Sequence, residues 1–194
     1  MPHDFEPIRA RLRAREPRRS AEAEPRSGQA AVSLILTRRA GSLAAFFIKR
    51  ADHPADPWSG QVGLPGGRRD PEDRDLLDTA RRETFEETGI ALEAPALLGE
   101  LDDIRPRGPG LPRIVVRPFV FGLARMPAVR PSPEVERPFW AGLRALRESD
   151  GKAEVLVRER TARVAAYRAG RHVIWGLTYR ILRKFLRESP GLTA

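Results

Sequence analysis

Three glutamates near the middle of the chain have the spacing that metal-dependent chemistry requires. Glu83, Glu86 and Glu87 stand at positions i, i+3 and i+4, so a helix of about 3.6 residues per turn carries all three carboxylates on one face. Like charges at this spacing repel one another and lower the stability of the helix. Clustered hard oxygen atoms are the ligands that Mg²⁺ or Mn²⁺ prefers. The pattern therefore predicts a divalent-metal site on a helix.

A solvated acidic face is the alternative explanation for these glutamates, with Arg81 and Arg82 as ion-pair partners. Two features favour the metal site. The glutamates border the apolar stripe of the helix rather than lying opposite to it, and a turn containing Gly66 and Gly67 leads into the helix. Glycine lacks a side chain, so its backbone can approach a ligand closely.

The elements around the glutamates predict an α/β layered domain with a mixed β-sheet. The metal helix is predicted from about Asp75 to Thr88, with Asp73 or Asp75 capping its start and Gly89 ending it. Residues 30–50 predict a β-hairpin with a Gly-Ser turn. The later predictions, in chain order, are strands over 96–101, 114–123 and 134–140, a helix over 143–148, a late strand pair, and a C-terminal amphipathic helix whose apolar face begins at Ile174.

Residues 65–90 resemble the signature of the Nudix hydrolases, which ends in Arg-Glu, an apolar residue, any residue, Glu-Glu, any residue, Gly and an apolar residue. Residues 82–90, RETFEETGI, fit this ending with a threonine in the first apolar slot. The front half departs, because Asp73 fills the glutamate slot after Gly67 and eight rather than seven residues separate it from the arginine. This longer form resembles the branch that contains the coenzyme A pyrophosphatases. The resemblance covers about residues 29–188 and implies a Nudix-type α/β/α sandwich.

The resemblance implies hydrolysis of the pyrophosphate bond of a nucleoside diphosphate derivative, with Mg²⁺ or Mn²⁺ as cofactor. It assigns metal ligation to Glu83, Glu86 and Glu87, and it implies that Arg82 forms ion pairs within the motif and orients a glutamate. The general base stays open among Glu86, Glu100, Asp102 and Glu134. We take Glu86, Arg82 and Glu134 as the catalytic candidates.

Gly66, Gly67, Arg50 and Arg69 are the candidate substrate-binding residues. The glycines permit close approach, and guanidinium groups bind phosphate in a bidentate manner. Arg68 and Arg69 are equally compatible with a solvated loop. His53, Trp58 and Trp175 are residue types that stack on a base, although a tryptophan in such a segment is also compatible with core packing.

Coenzyme A is the leading substrate candidate, but its sequence marker is degraded. Ile48 stands where the marker has threonine, Ala55 where it has a second arginine, and Leu64 where it has phenylalanine. ADP-ribose, dinucleotides and oxidised nucleoside triphosphates therefore stay open as substrates. A different class of function, a Nudix-fold module that binds a nucleotide or RNA without catalysis, is disfavoured by the intact Arg-Glu and Glu-Glu pairs.

Composition excludes several classes of function. The 194 residues contain no cysteine, which excludes disulfides, zinc fingers, iron–sulfur clusters and thiol catalysis and makes the cytoplasm the expected location. No apolar stretch approaches the roughly 18 residues of a membrane span, so no membrane partner is expected. The formal net charge is +9, yet only three of the 35 cationic residues are lysines. This skew suggests a GC-rich genome, so a nucleic-acid partner is not expected. A homodimer stays open.

Residues 1–28 form a predicted basic arm and linker before a Nudix domain over 29–190. Phe5, Ile8 and Leu12 lie at i, i+3 and i+7 and predict one short amphipathic helix. Three apolar residues are too few for a separate core, so the arm is expected to dock loosely or move. Its removal is then expected to leave hydrolysis nearly intact.

Overall fold

The structure is a computed structural model that describes residues 5–54, 56–108, 110–157 and 160–188. Ala55, one of the departures from the coenzyme A marker, lies outside these ranges, as do the last two residues of the predicted domain. The four helices of the described residues are α1 (Glu6–Arg13), α2 (Leu76–Thr88), α3 (Leu143–Glu148) and α4 (Gly176–Glu188). The strands are β1 (Gln29–Arg39), β2 (Ser42–Arg50), β3 (Val62–Gly63), β4 (Gly66–Arg68), β5 (Leu97–Glu100), β6 (Val115–Leu123), β7 (Val135–Gly142), β8 (Gly151–Val157), β9 (Arg160–Ala169) and β10 (His172–Trp175).

Seven of these strands form one mixed sheet, as the sequence predicts. The order β3-β2-β1-β6-β5 makes its main path, with β4 paired to β1 and β7 paired to β2. The β1–β6 pair is parallel and the other pairs are antiparallel. The β1–β2 hairpin confirms the prediction over 30–50. Because β1 lies at the centre of the sheet, β4 and its two glycines are fixed against the core.

Both faces of the sheet are covered, because buried strand residues alternate between two cores. On β2, Phe46 and Ile48 pack in one core with residues of α2. Ala45 and Phe47 point to the opposite face and pack in a second core with residues of α1, α3 and α4. The predicted α/β/α sandwich is confirmed.

The N-terminal arm is part of the second core. Helix α1 forms as predicted, but Phe5, Ile8 and Leu12 are buried within the same cluster as the sheet. Two glycines of the sheet make room for them: a Cβ atom added to Gly99 would lie 2.7 Å from the Leu12 side chain, and one added to Gly122 would lie 2.7 Å from the Phe5 ring. The expectation of a loosely docked arm is therefore wrong. Burial on the sheet replaces the separate core that the arm lacks.

The C-terminal region corrects the prediction at one boundary. Ile174 and Trp175 belong to β10, which pairs with β9 in a second, three-stranded antiparallel sheet. Helix α4 begins only at Gly176, whose φ of +64° turns the chain from the strand into the helix. Among the described helices, none is long and apolar enough to cross a membrane.

Candidate active site

Helix α2 positions the glutamates, and its ends are set by local chemistry. The Asp75 side chain accepts a hydrogen bond from the Asp78 backbone N–H at 2.8 Å and caps the first turn. Gly89, with a φ of +70°, ends the helix in the left-handed conformation. Thr84 fills the apolar slot of the motif within the core, where its hydroxyl lies 2.6 Å from the Ala80 carbonyl oxygen and 2.8 Å from the Ser33 hydroxyl on β1. The helix is thereby held against the centre of the sheet.

Asp73, which departs from the signature, holds the motif arginine. Its two carboxylate oxygens accept hydrogen bonds from Nε and Nη2 of Arg82, both at 3.0 Å, and a further one from the Thr79 hydroxyl at 2.8 Å. Burial alone would raise the pKa of Asp73, but the hydrogen bonds from Arg82, the Asp70 backbone and Thr79 lower it to about 2. Asp73 therefore stays ionised and fixes Arg82.

Arg82 in turn contacts two of the three glutamates. Its Nη1 lies 2.9 Å from Glu83 Oε1 and 2.9 Å from Glu86 Oε2, and its Nη2 donates to the Arg68 carbonyl at 3.1 Å. The three glutamates differ in exposure: the side chain is 5% exposed for Glu87, 20% for Glu83 and 55% for Glu86. The structure thus places Glu86 at the outer rim, whereas Glu83 and Glu87 line a cleft.

Glu87 is the most deeply buried of the three. Its Oε2 accepts a hydrogen bond from the Gly66 backbone N–H at 2.9 Å, and its Oε1 lies 3.2 Å from Arg50 Nη1. Burial raises the pKa of Glu87 to about 7, although the Gly66 hydrogen bond and the Arg50 charge oppose the shift. Burial likewise raises the pKa of Glu83. Two desolvated carboxylates on one helix face form a site that favours a cation.

The Gly66-Gly67 pair is required by close packing on both sides. Gly66 has a φ of +147°, and a Cβ atom there would lie 2.2 Å from the Ala31 carbonyl oxygen. At Gly67 a Cβ atom would lie 2.3 Å from Glu83 Oε2. The second glycine thus leaves the Glu83 carboxylate room beside the backbone.

Glu134 and Arg50 approach the same cleft from the other side of the site. Glu134 precedes β7, lines the cleft and adds a negative charge that raises the pKa of both Glu83 and Glu87. Arg50, at the end of β2, is held by Asp56, whose Oδ2 lies 2.7 Å from Arg50 Nε. Arg50 thus also neutralises part of the acidic site, in addition to any contact with a substrate.

Of the adjacent arginines on the loop before α2, the structure brings Arg68 to the cleft and not Arg69. The Arg69 guanidinium donates to the Gln29 side chain at 2.8 Å and to the Arg74 carbonyl at 2.6 Å. This correction has a simple cause. Strand β4 pairs with β1 beside Gln29, which directs Arg69 into the interior hydrogen-bond network.

The cleft has a volume of about 400 Å³, and its lining has an acidic and an apolar part. The acidic part, which we call the acidic end, consists of Glu83, Glu87, Glu134 and Arg50. The apolar part, which we call the apolar end, carries two tryptophans; its lining residues include Trp58, Ile114, Val116, Trp175, Leu177 and Ile181. His53 is not among the lining residues. Both tryptophans are predicted from the sequence as candidate stacking residues. The aliphatic wall is not predictable in this way, because its residues come from elements that are distant in the sequence.

The residues present fit a divalent cation bound in part by its substrate. Within the described residues, no three histidine or acidic side chains form a complete metal site by themselves. Mg²⁺ typically takes only one or two protein carboxylates and completes its shell with water and substrate phosphate oxygens. Glu83 and Glu87 supply such a pair, because both carboxylates line the cleft.

Comparison with known proteins shows the family to which the chain belongs. The family profile of the NUDIX domain matches residues 28–163. The chain is 32% identical over 160 residues to a protein of Photorhabdus laumondii named "Uncharacterized Nudix hydrolase NudL", covering 80% of this chain and 76% of the relative. The chain therefore belongs to the Nudix family of hydrolases.

Other relatives extend the comparison. A mouse protein named as a mitochondrial coenzyme A diphosphatase is 27% identical over 181 residues, covering 90% of this chain and 84% of the relative. A Schizosaccharomyces pombe relative is 40% identical over 87 residues, and the matched stretch spans 26% of its length. Among solved structures, a MutT/nudix family protein from Enterococcus faecalis superposes with a TM-score of 0.61 at 16% identity, covering 96% of this chain and 69% of that one. This likeness supports the fold.

Proposed function

We propose that this protein hydrolyses the pyrophosphate bond of a nucleoside diphosphate derivative with the help of Mg²⁺ or Mn²⁺. The observation that carries the proposal is that two carboxylates of α2, the buried Glu87 and the partly buried Glu83, line the cleft beside the backbone of Gly66 and Gly67. A divalent ion bound there would neutralise phosphate charge and acidify a water molecule. A diphosphate then fits the acidic end and the remainder of the substrate fits the apolar end.

Each polar residue of the site has a distinct task in this proposal. Glu83 and Glu87 hold the ion, and Glu86 keeps Arg82 in place at the rim. Arg82 orients Glu83 through its 2.9 Å contact and is itself held by Asp73. These contacts keep Glu83 preorganised, and Gly66 and Arg50 do the same for Glu87, which lowers the cost of reorganisation during the reaction.

Glu134 is the best-placed general base. It lines the cleft, its charge acts on both Glu83 and Glu87, and Arg82 does not contact it. In the proposed step, water attacks one phosphorus atom, Glu134 accepts the proton of that water, and the bond between this phosphorus and the bridging oxygen breaks. The bridging oxygen leaves with the second phosphate, whose negative charge the nearby Arg68 and Arg50 help to stabilise. The products are two phosphate monoesters.

Coenzyme A is the substrate that we place first, with 3′,5′-ADP and 4′-phosphopantetheine as its products. The similarity to the mouse protein named as a coenzyme A diphosphatase supports this choice, since it extends over 90% of the chain. The apolar, tryptophan-bearing end of the cleft suits an organic group attached to the diphosphate. ADP-ribose, dinucleotides and oxidised nucleoside triphosphates share the diphosphate and are the competing substrates.

A substrate panel tests the proposal. Purified protein is incubated with Mg²⁺ or Mn²⁺ and coenzyme A, ADP-ribose, NADH or oxidised dGTP, and the products are identified by mass. We expect metal-dependent cleavage at the pyrophosphate, with the highest kcat/KM for coenzyme A. A clear preference for ADP-ribose would remove coenzyme A and leave the pyrophosphatase assignment standing. Nucleotide binding without turnover of any substrate would contradict the enzyme and identify a binding module.

A further inference from the structure

A second concave surface adjoins the cleft along helix α4. It has a volume of about 500 Å³ and lies between α4, the segment 101–104 and Arg18. We call it the α4 groove. Ile181 lines both the cleft and the groove. The cleft and the groove therefore meet at Ile181.

The α4 groove carries an excess of positive charge. Arg180, Arg183, Lys184 and Arg187 stand at i, i+3, i+4 and i+7 and so share one face of α4. In the described part of the chain, Lys184 pairs with carboxylates, whereas the three arginines of this face form no ion pair. The carboxylates that line the groove are already engaged by other cations; these are Asp102 with Arg15 and Lys184, Asp103 with Arg117, and Glu188 with Arg15 and Lys184.

Arg180 is the cation of this face that is closest to the cleft along the chain. It is half-buried, and its Nη1 donates to the Arg105 carbonyl at 2.7 Å. Burial and the neighbouring charge of Arg107 lower the pKa of Arg180. A guanidinium that is partly withdrawn from water beside a second guanidinium is stabilised by an added anion. Phosphate matches it best, because guanidinium groups bind phosphate oxygens in a bidentate manner.

We propose that the α4 groove binds a phosphate monoester that the substrate carries away from its scissile pyrophosphate, with Arg180 as the principal contact. This inference rests on the proposed function, since it concerns the far end of the same substrate. At 1.5 Å per residue, Leu177 in the cleft and Arg183 in the groove are about 9 Å apart along the axis of α4. This distance is short enough for one substrate to contact both. The site of distal phosphate recognition is then α4 rather than Arg69.

Two substrates that differ only in a 3′-phosphate test the groove. We compare kcat/KM for coenzyme A and dephospho-coenzyme A in the wild type and in the triple variant Arg180→Gln, Arg183→Gln, Arg187→Gln. The matched control removes the same charge from exposed positions of β9 by changing residues 160, 163 and 168 from arginine to glutamine. We expect the wild type and the control to prefer coenzyme A by about tenfold or more, the scale of a charge-assisted hydrogen bond. In the triple variant, the ratio of kcat/KM for coenzyme A to that for dephospho-coenzyme A should fall to about one, because KM for coenzyme A rises.

Several results would overturn the inference. These are a wild type without preference, an unchanged ratio in the triple variant, or an equal loss on both substrates. Salt-dependent binding of an RNA oligonucleotide that the triple variant loses, without any 3′-phosphate preference, would identify nucleic acid as the occupant instead. If the wild type cleaves neither substrate, coenzyme A is removed as the substrate; the proposed function fails only if ADP-ribose, NADH and oxidised dGTP are not cleaved either. Calorimetry still tests the groove in both cases. Adenosine 3′,5′-bisphosphate should then bind more tightly than AMP to the wild type and equally to the triple variant.

Discussion

Asp73 offers a quantitative test of how the metal helix is held, because one carboxylate organises several groups there. The variant Asp73→Asn keeps the size of the side chain and removes the charge that Arg82 contacts at 3.0 Å through two nitrogens. The Thr79 hydroxyl and the Asp70 backbone N–H also donate to this carboxylate. We expect the variant to fold and to be less stable than the wild type at neutral pH.

The magnitude follows from the pKa of Asp73, which falls from 3.8 to about 2 on folding. A group whose pKa is lowered in the folded state stabilises the protein above its unfolded-state pKa, and this contribution is lost as the pH falls through the folded-state pKa. For this shift the contribution to the free energy of unfolding is about 2 kcal/mol at pH 7 and about 1 kcal/mol at pH 3. The difference in the free energy of unfolding between wild type and Asp73→Asn should therefore be about 1 kcal/mol smaller at pH 3 than at pH 7.

Urea unfolding at pH 7 and pH 3 measures this difference directly. Any fixed cost of placing an amide beside Arg82 does not change with pH, so the narrowing by about 1 kcal/mol is the diagnostic quantity. Asp70→Asn is the matched control, since it removes an exposed carboxylate from the same loop. A constant difference for Asp73→Asn, or the same narrowing for Asp70→Asn, would refute the conclusion that an ionised Asp73, held by these hydrogen-bond donors, stabilises the fold.

Three further predictions concern the site and the arm. Glu87→Gln should lower kcat at least about a hundredfold, as loss of a preorganised charged group does. Glu86→Gln, at the exposed rim, should lower kcat less. Equal losses of kcat for the two variants in a Mg²⁺ assay would contradict the greater importance of Glu87. Gly67→Ala should reduce kcat, because the added Cβ would lie 2.3 Å from Glu83 Oε2 and displace that carboxylate. Gly142→Ala is the control; it should stay active, because the space around the added Cβ is open. Ile8→Ala should lower the free energy of unfolding by about 2–5 kcal/mol in urea, and an unchanged midpoint would show that the arm is not packed on the sheet.

Local sequence patterns predicted the elements whose signals lie within a few residues. Helix α2 is bounded by the Asp75 cap and Gly89, and both signals act on the neighbouring backbone. The boundary near Gly176 was missed for the opposite reason. Ile174 continues the apolar spacing of α4, and only its pairing with Tyr167 on β9 places it in a strand.

The candidate site likewise combines features set by local sequence with features set by contacts between distant residues. Glu83 and Glu87 share a helix face by spacing alone, so their shared position at the cleft was predictable. Arg68 and Arg69 are equivalent in sequence, and only the pairing of β4 with β1 decides which of them Gln29 engages. The packing of the arm on the sheet could not be predicted for the same reason, because the space for its side chains is left by glycines about 90 or more residues away.

The central claim, that Glu83 and Glu87 serve metal-dependent attack of water on a pyrophosphate, is tested most directly in ¹⁸O-labelled water. The wild type and Glu87→Gln are incubated with Mg²⁺ and the substrate of highest kcat/KM, and the products are analysed by mass. We expect one ¹⁸O atom in one of the two phosphate monoesters, turnover that stops when the ion is chelated, and a loss of at least about a hundredfold in the variant. Label outside the phosphate products, or near-wild-type turnover by folded Glu87→Gln, would contradict the central claim.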